Sequence, residues 1–427
     1  MKNKKYILKK ESFGGTFADN TRGGYRFLQH EDYEKKKKEL MEYTGDYKVK
    51  FIDVTERGYP LLVNSTSSPN NIFWEITKKC NAASCIGCFM DSNSIKWPDN
   101  EVKFKDEEKI IRQFSDLGGS SIRITGGEPT DKEEFFDIVD LLSDEGIITG
   151  LNTNGLFDEK KLERILSSEI KDMRISLDGP RNVNDSIRGQ GSYDKAAKTI
   201  AGISAYNITA DVPIQLTINF VLMQRNMKYI EEMIELAQSY NSKISFGLLR
   251  LSGRARKEEM LSPEDVVQAA YRVQKMRSSL NLAKDAIRIN YDIFCEGSKD
   301  IGENSMKTPK RYAPYPFDNS KCPLGSAGFT LDAYARVTPC GYLVNSDDWV
   351  GESIIGKDML YVWHNSSILN KARKISRQGC TDCGYHKEKC NGGCPAMSYF
   401  ITRDPDGKDP YCVRDVDIKN IITDDKK

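Results

Sequence analysis

Between residues 71 and 255, short apolar runs alternate with longer amphipathic ones. IFWEIT, SIRITG, IITGLNTN, MRISLDG, IQLTINFVL and KISFGLL are rich in β-branched and aromatic residues and bounded by turn formers, so they read as strands. EEKIIRQFSDLG, KEEFFDIVDLLSDEG, EKKLERILS, SYDKAAKTIAGISAY and MKYIEEMIELAQSY space their apolar residues at helical intervals. This alternation predicts an α/β fold with a parallel sheet and outer helices, and six units suit a partial (β/α)6 TIM-type barrel. Reactive groups in such a barrel gather at the C-terminal ends of the strands.

The flanks read differently. YILKKESFGGTFADNTRGGYRFLQ predicts two strands around a Gly-rich turn, with Gly14, Gly15, Gly23 and Gly24 as breakers, and DYEKKKKELMEY predicts a charged helix. SPEDVVQAAYRVQKMRSSL is a further helix with Ser262 as N-cap and Pro263 at its first position. Residues 300–320 are polar and Pro-rich, as in a linker. From Cys322 onward periodicity fades and cysteines set the pattern. The expected organisation is a small N-terminal α+β segment (1–70), the barrel (71–300) and a cysteine-rich C-terminal domain (310–427).

Charge narrows the function classes. The 427 residues carry 63 Lys+Arg and 62 Asp+Glu, a formal charge of +1, which points to neither nucleic acid nor a membrane surface. No apolar run reaches the length of a spanning helix, and the basic MKNKKYILKKES lacks the apolar stretch of a secretory signal. A reducing cytoplasm is the default location. Of the 11 cysteines, 7 fall between Cys322 and Cys412, a density that reads as metal or cluster ligation in that compartment. The only histidines are His30, His364 and His386, so barrel chemistry cannot use one from residues 71–300.

Cys80, Cys85 and Cys88, in CNAASCIGCFM, follow the first barrel strand. Three thiolates can hold three corners of a [4Fe–4S] cluster and leave one iron open, whereas electron storage alone normally takes four. Zinc would want a fourth Cys or His nearby, and beyond the triad none lies between His30 and Cys295.

The triad and the strand ends together resemble the radical S-adenosylmethionine (SAM) enzymes. That family uses C-x3-C-x2-C, one residue shorter than the C-x4-C-x2-C here. The resemblance implies that the open iron chelates SAM, whose reductive cleavage gives a 5′-deoxyadenosyl radical. ITGGEP (Gly126, Gly127, Glu128) resembles the motif for the SAM amino group, LNTNG (Asn154) and ISLDG (Ser176) those near the methionine and ribose, and Arg188 the arginine meeting the SAM carboxylate. Asn219 and the LLRLSGRA stretch occupy adenine-side positions by the same likeness. An electron donor such as flavodoxin or ferredoxin is implied.

The later cysteines resemble the SPASM extension of the same superfamily, with Ala335 where a glycine is usual and one extra residue between Cys383 and Cys390. By that likeness Cys380, Cys383, Cys390 and Cys412 hold one auxiliary [4Fe–4S] cluster, and Cys322, Cys340 and Cys394 another, with Cys295 either its fourth ligand or an ordinary thiol. A pair of zinc sites is the alternative for this segment. Most SPASM members modify peptides, and FGGTFADNTRGGYRFLQHEDYE resembles the opening of their leader-binding domains, which add a peptide as a β-strand. The expectation is therefore a maturase acting on a ribosomally made peptide or protein. The alternative is a haem-pathway enzyme that decarboxylates or oxidises tetrapyrrole side chains.

Overall fold

The computed structural model describes residues 4–21, 24–82, 85–283, 285–290, 322, 325–384, 390–417 and 420–421. The 300–320 stretch and Cys295 lie outside the described residues.

The N-terminal segment holds more strands than its pattern predicts. β1 (Lys5–Glu11), β2 (Gly14–Asp19), β3 (Tyr25–Gln29) and β4 (Lys48–Ile52) form a sheet of order β3-β2-β1-β4, with β4 parallel to β1. Helix α1 (His30–Met41) packs on it around Leu8, Leu28, Tyr33 and Leu40. Gly14 and Gly15 open β2 instead of forming the turn. A Cβ on Gly15 would meet the Tyr33 ring, so the glycine lets the helix lie close on the strand.

The barrel follows the predicted alternation. Its strands are β5 (Asn71–Glu75), β6 (Ser121–Thr125), β7 (Ile148–Thr153), β8 (Ile170–Ser176), β9 (Gln215–Leu222) and β10 (Lys243–Leu248), joined in sequence order by parallel pairing. Outer helices are α2 (Phe104–Asp116), α3 (Phe135–Asp144), α4 (Glu159–Leu166), α5 (Arg181–Arg188), α6 (Ser192–Thr209), α7 (Ile230–Ser239) and α8 (Pro263–Ser279). The strands' alternate residues, such as Trp74, Ile124, Met173 and Ile218, form one apolar core that includes Phe114, Ile138, Ile200 and Ile234 from the helices. Ser262 caps α8 in a capping box with Asp265, worth about 1 kcal/mol.

The sheet continues past both barrel edges. β11 (Ile287–Asn290) adds parallel to β10. At the other edge β12 (Gly328–Leu331), from the cysteine-rich segment, pairs parallel with β5, and β13 (Val337–Thr338) pairs antiparallel with β12. Backbone hydrogen bonds thus weld the C-terminal segment to the barrel. Its helices α9 (Met359–Asn365), α10 (Ser367–Arg373) and α11 (Pro395–Thr402) complete the described fold. Ala335, where the resemblance expects glycine, has a left-handed backbone (φ 52°) and a buried side chain.

Candidate functional site: a thiol-lined cleft at the barrel mouth

Cys80, Cys85 and Cys88 line one open cleft of about 920 Å³ at the C-terminal ends of the strands. The three thiols stand close enough for their charges to interact, and burial pushes Cys80 up to about 12 and raises Cys85. Thiols this enclosed become thiolates mainly when a cation is there to bind them.

Strand ends from around the barrel hold the loop that carries the triad. From β6, Gly127 N donates to Thr77 O (2.7 Å) and Glu128 N to Lys79 O (2.8 Å). A Cβ on Gly127 would fall 2.6 Å from the Lys79 carbonyl carbon, so only glycine permits this approach. Glu128 is fully buried. Its carboxylate accepts from Thr130 Oγ1 (2.8 Å), Thr153 Oγ1 (2.9 Å) and Asn154 N (2.9 Å), which fastens β6 to the end of β7. Its side chain therefore supports the turn from behind, and Gly126 and Gly127 face the cleft.

Asn154 serves the loop as well as the cleft. Its amide donates to Asn81 Oδ1 (2.6 Å) and lies 3.8 Å from Cys80 Sγ. Beyond β8, Ile187 O accepts from Ile86 N (3.0 Å), and Arg188 O lies 3.9 Å from Cys85 Sγ. The Arg188 side chain lines the cleft. Burial works against its charge, but Asp178, 2.7 Å from Nε, keeps it cationic. Its terminal nitrogens make no hydrogen bond to protein among the described residues. Ser176 and Asn219 are register partners on β8 and β9 and line the same cleft. Among the described residues, neither side chain hydrogen-bonds to protein, so both remain available to a ligand.

Four further clamps were not evident from the sequence. Asn93 accepts from Cys80 N (2.9 Å) and donates to Cys80 O (2.6 Å), pinning that residue's backbone from both sides. Arg254 donates to Cys85 O (3.3 Å) and Ser92 O (2.7 Å), and Ser252 Oγ donates to Phe89 O (3.1 Å). The LSGRA part of the stretch expected beside adenine thus turns its polar groups onto the loop. Asn345, from the C-terminal segment, donates to Phe89 O and to Ser252 Oγ. These partners are remote in sequence, and no local signal marks them.

The later cysteines gather in two places. Cys380, Cys383, Cys390 and Cys412 line one small pocket, with burial raising Cys380 and Cys412. Cys322, Cys340 and Cys394 pack against the same apolar cluster of Leu343, Trp349 and Tyr399, and burial pushes Cys340 up to about 12. Cys322 and Cys340 also line a second cleft of about 1520 Å³, which shares Gly87, Phe89, Asn152, Arg174, Asn219 and Val221 with the first. The two clefts are therefore continuous. No disulfide joins any of the ten described cysteines.

A parallel partial barrel that hangs a sulfur-only donor set over a ligand cleft at its strand ends is an architecture for cluster-based cofactor chemistry. Residues 74–237 match the family model described as Radical SAM superfamily. It is 27% identical over 353 residues to mycofactocin maturase MftC of Mycobacterium tuberculosis, covering 81% of this chain and 83% of that one. It is 28% identical over 364 residues to the AdoMet-dependent heme synthase of Methanosarcina barkeri, covering 82% and 98%. Among solved structures, Streptococcus suis SuiB bound to precursor peptide SuiA has a TM-score of 0.72 at 18% identity, over 95% of this chain and 97% of that one. Native anSMEcpe with bound AdoMet has a TM-score of 0.63 at 18% identity, over 84% and 100%. Among the described residues no helix is long and apolar enough to cross a membrane.

Proposed function

We propose that this chain is a radical SAM maturase that modifies a ribosomally made peptide or protein. The observation that carries this reading is the continuous cleft running from the triad to Cys322 and Cys340, with room beyond the SAM position for a peptide segment. Similarity to MftC and to peptide-bound SuiB supports the substrate class.

Cys80, Cys85 and Cys88 would hold a [4Fe–4S] cluster, since all three donors that the loop brings to the cleft are sulfur. When bound, cluster and SAM together supply a 5′-deoxyadenosyl radical able to abstract hydrogen from an unactivated C–H bond. The chain's own residues position that chemistry. The Gly126–Gly127 backbone offers carbonyls to the SAM amino group, and the Arg188 guanidinium matches its carboxylate. Ser176 and Asn219 would meet the ribose and adenine, and Asn154, whose amide lies near Cys80 Sγ, would supply an N–H···S contact of the kind that tunes a cluster. Cys380, Cys383, Cys390 and Cys412 form one auxiliary ligand set, and Cys322, Cys340 and Cys394 the core of another. The edge strand β3 would receive a leader peptide by strand addition. Flavodoxin or ferredoxin would deliver the electron, and a reducing cytoplasm suits so many unlinked thiols.

The test is anaerobic incubation of reconstituted enzyme, SAM and reductant with peptides encoded beside it, read by mass spectrometry. A mass change that requires SAM supports the reading, and none on any neighbouring peptide overturns it. The 28% identity to a heme synthase across nearly its whole length favours one second reading, the tetrapyrrole enzyme. It predicts porphyrin binding and loss of carboxylate mass.

A further inference from the structure

Arg377 is wholly buried three residues before Cys380, the first cysteine of the four-thiol pocket. Its backbone is left-handed (φ 59°), a conformation that glycine or asparagine adopts more readily than arginine. The sequence thus accepts both backbone strain and a buried cation at this position. The terminal nitrogens are engaged, but by neutral oxygens. Nη1 donates to Ser398 Oγ (3.1 Å) and Pro405 O (2.5 Å), and Nη2 donates to Gly392 O. Nε is buried without a hydrogen-bond partner. Among the described residues, no carboxylate accepts a hydrogen bond from this side chain. The local acids are held by backbone groups. Asp406 accepts from Ser376 N (2.7 Å) and Arg377 N (2.6 Å), and Asp409 from Cys394 N and Tyr411 N. Burial raises the Asp409 carboxyl, and Arg250 leads the cations opposing that, ahead of Arg377. A buried cation ordinarily has a counter-charge beside it.

The thiols lie on its other side. A Cβ on Gly392 would fall 2.9 Å from Arg377 Nε and 3.0 Å from its Cγ, so the side chain lies against this glycine. Gly392 N in turn donates to Cys390 Sγ (3.4 Å), and Gly392 O lies 4.0 Å from Cys380 Sγ. One residue therefore separates the cation from two of the four sulfurs. Burial raises the Cys380 thiol, and the Arg377 charge is the chief influence opposing it. The pocket's other cations, Lys408 and Arg414, are partly exposed and paired with Asp415 and Asp382. Salt screens such exposed charges and screens a buried one far less.

We propose that Arg377 is the counter-charge of the four-thiol site and raises the reduction potential of the cluster held there. This rests on the reading of Cys380, Cys383, Cys390 and Cys412, four thiols around one small pocket, as [4Fe–4S] ligands. Reduction adds one electron, and no bond is made or broken. A cation fixed beside the site stabilises the added negative charge, which biases the site towards electron uptake.

The experiment is an anaerobic redox titration, followed by electron paramagnetic resonance, of the full chain carrying Cys80→Ala, Cys85→Ala and Cys88→Ala. In that background only the C-terminal cysteines hold clusters. The signal lost on adding Cys383→Ala is assigned to the four-thiol site. If no signal depends on Cys383, the cluster reading falls and takes this proposal with it. Where the signal is present, Arg377→Met should make that cluster about tenfold harder to reduce, a fall of about 59 mV for one electron. Arg377→Lys, which keeps the charge without the fork, should stay within about threefold of the unsubstituted background. A Met variant that titrates with the background overturns the proposal while the cluster reading stands. So does a Lys variant that falls as far as Met, because hydrogen-bond geometry rather than charge would then set the potential. Salt supplies a reading that needs no change at Arg377. Raising the ionic strength from about 0.05 M to about 1 M should shift the Cys383-dependent potential by less than about threefold. A tenfold fall would assign the field to exposed Lys408 and Arg414 and overturn the proposal, even where the Met variant loads no iron.

Discussion

An alanine at Gly127 tests the idea that the GGEP turn exists to seat the cysteine loop. The added Cβ would fall inside the Lys79 carbonyl group, 2.6 Å from its carbon and 2.8 Å from the Lys78 oxygen, where ordinary contact begins at 3.4 Å. The backbone just before Cys80 must retreat by at least 0.6–0.8 Å, the differences 3.4 − 2.8 and 3.4 − 2.6. No flexible side chain can absorb that shift. Two hydrogen bonds span the contact, Gly127 N to Thr77 O and Glu128 N to Lys79 O. At about 0.5–1.5 kcal/mol each, plus about 1–3 kcal/mol for overpacking, the variant should lose about 2–6 kcal/mol. Gly247→Ala is the control, because a Cβ there meets nothing within 4 Å. Urea unfolding of both apo variants under anaerobic conditions gives the stability difference. Iron per chain after reconstitution then reports the seat of Cys80 separately. If Gly127→Ala unfolds like Gly247→Ala and loads wild-type iron, the glycine is not there for close approach.

Further outcomes follow from other sites. Replacing Cys85 by Ala should abolish SAM cleavage while leaving the iron of the C-terminal cysteines in place, and retained cleavage would overturn the assignment. Burial raises Glu75 to about 7 despite Lys78 beside it. A carboxyl raised in the folded state contributes stability fully below its unfolded pKa of 4.5 and loses it as pH rises through about 7. Against Glu75→Gln, the wild type should therefore lose up to about 3 kcal/mol between pH 5 and 8; parallel curves in pH-dependent unfolding would contradict this. Lys9 is buried, donates to Ser68 O (3.0 Å), Ser68 Oγ (3.1 Å) and Pro69 O (3.3 Å), and lies near buried Glu11. Lys9→Met should cost about 3–5 kcal/mol in thermal unfolding, since three buried acceptors lose their charged donor. Ala335→Gly should shift stability by less than about 1 kcal/mol, because relief of the left-handed backbone and loss of a buried methyl oppose each other. A change above about 2 kcal/mol would show that one effect dominates.

The barrel was legible because its signals are local. Each strand and its helix carry their own period of apolar residues, as IFWEIT and EEKIIRQFSDLG do, and each is buried on the face that period dictates. Helix α5 escaped that reading. RNVNDSIR buries only Asn184 and Ile187, so its pattern is nearly all polar. β4 was also missed: KVKFI alternates weakly, and its partner β1 lies about forty residues upstream. The turn between β1 and β2 was misplaced because glycines signal turns, whereas Gly15 answers to the Tyr33 ring.

At the site, the sequence by itself determined the residue types and their rough neighbourhood: three cysteines after the first strand, polar and Gly-rich ends on the following strands, and seven cysteines late in the chain. Thiol donors at short spacings and glycines at strand ends carry that meaning wherever they are read. Only the tertiary structure decided how the parts bear on one another. It turned Glu128 inward to tie two strands, set Asn93 and Arg254 to grip the cysteine loop, and paired β12 with β5 so that Cys322 and Cys340 face the same cavity as the triad. The reason is range. Periodicity and spacing act between neighbours along the chain, whereas these hydrogen bonds and the shared cleft join residues brought together only when the barrel closes and the C-terminal strand extends its sheet.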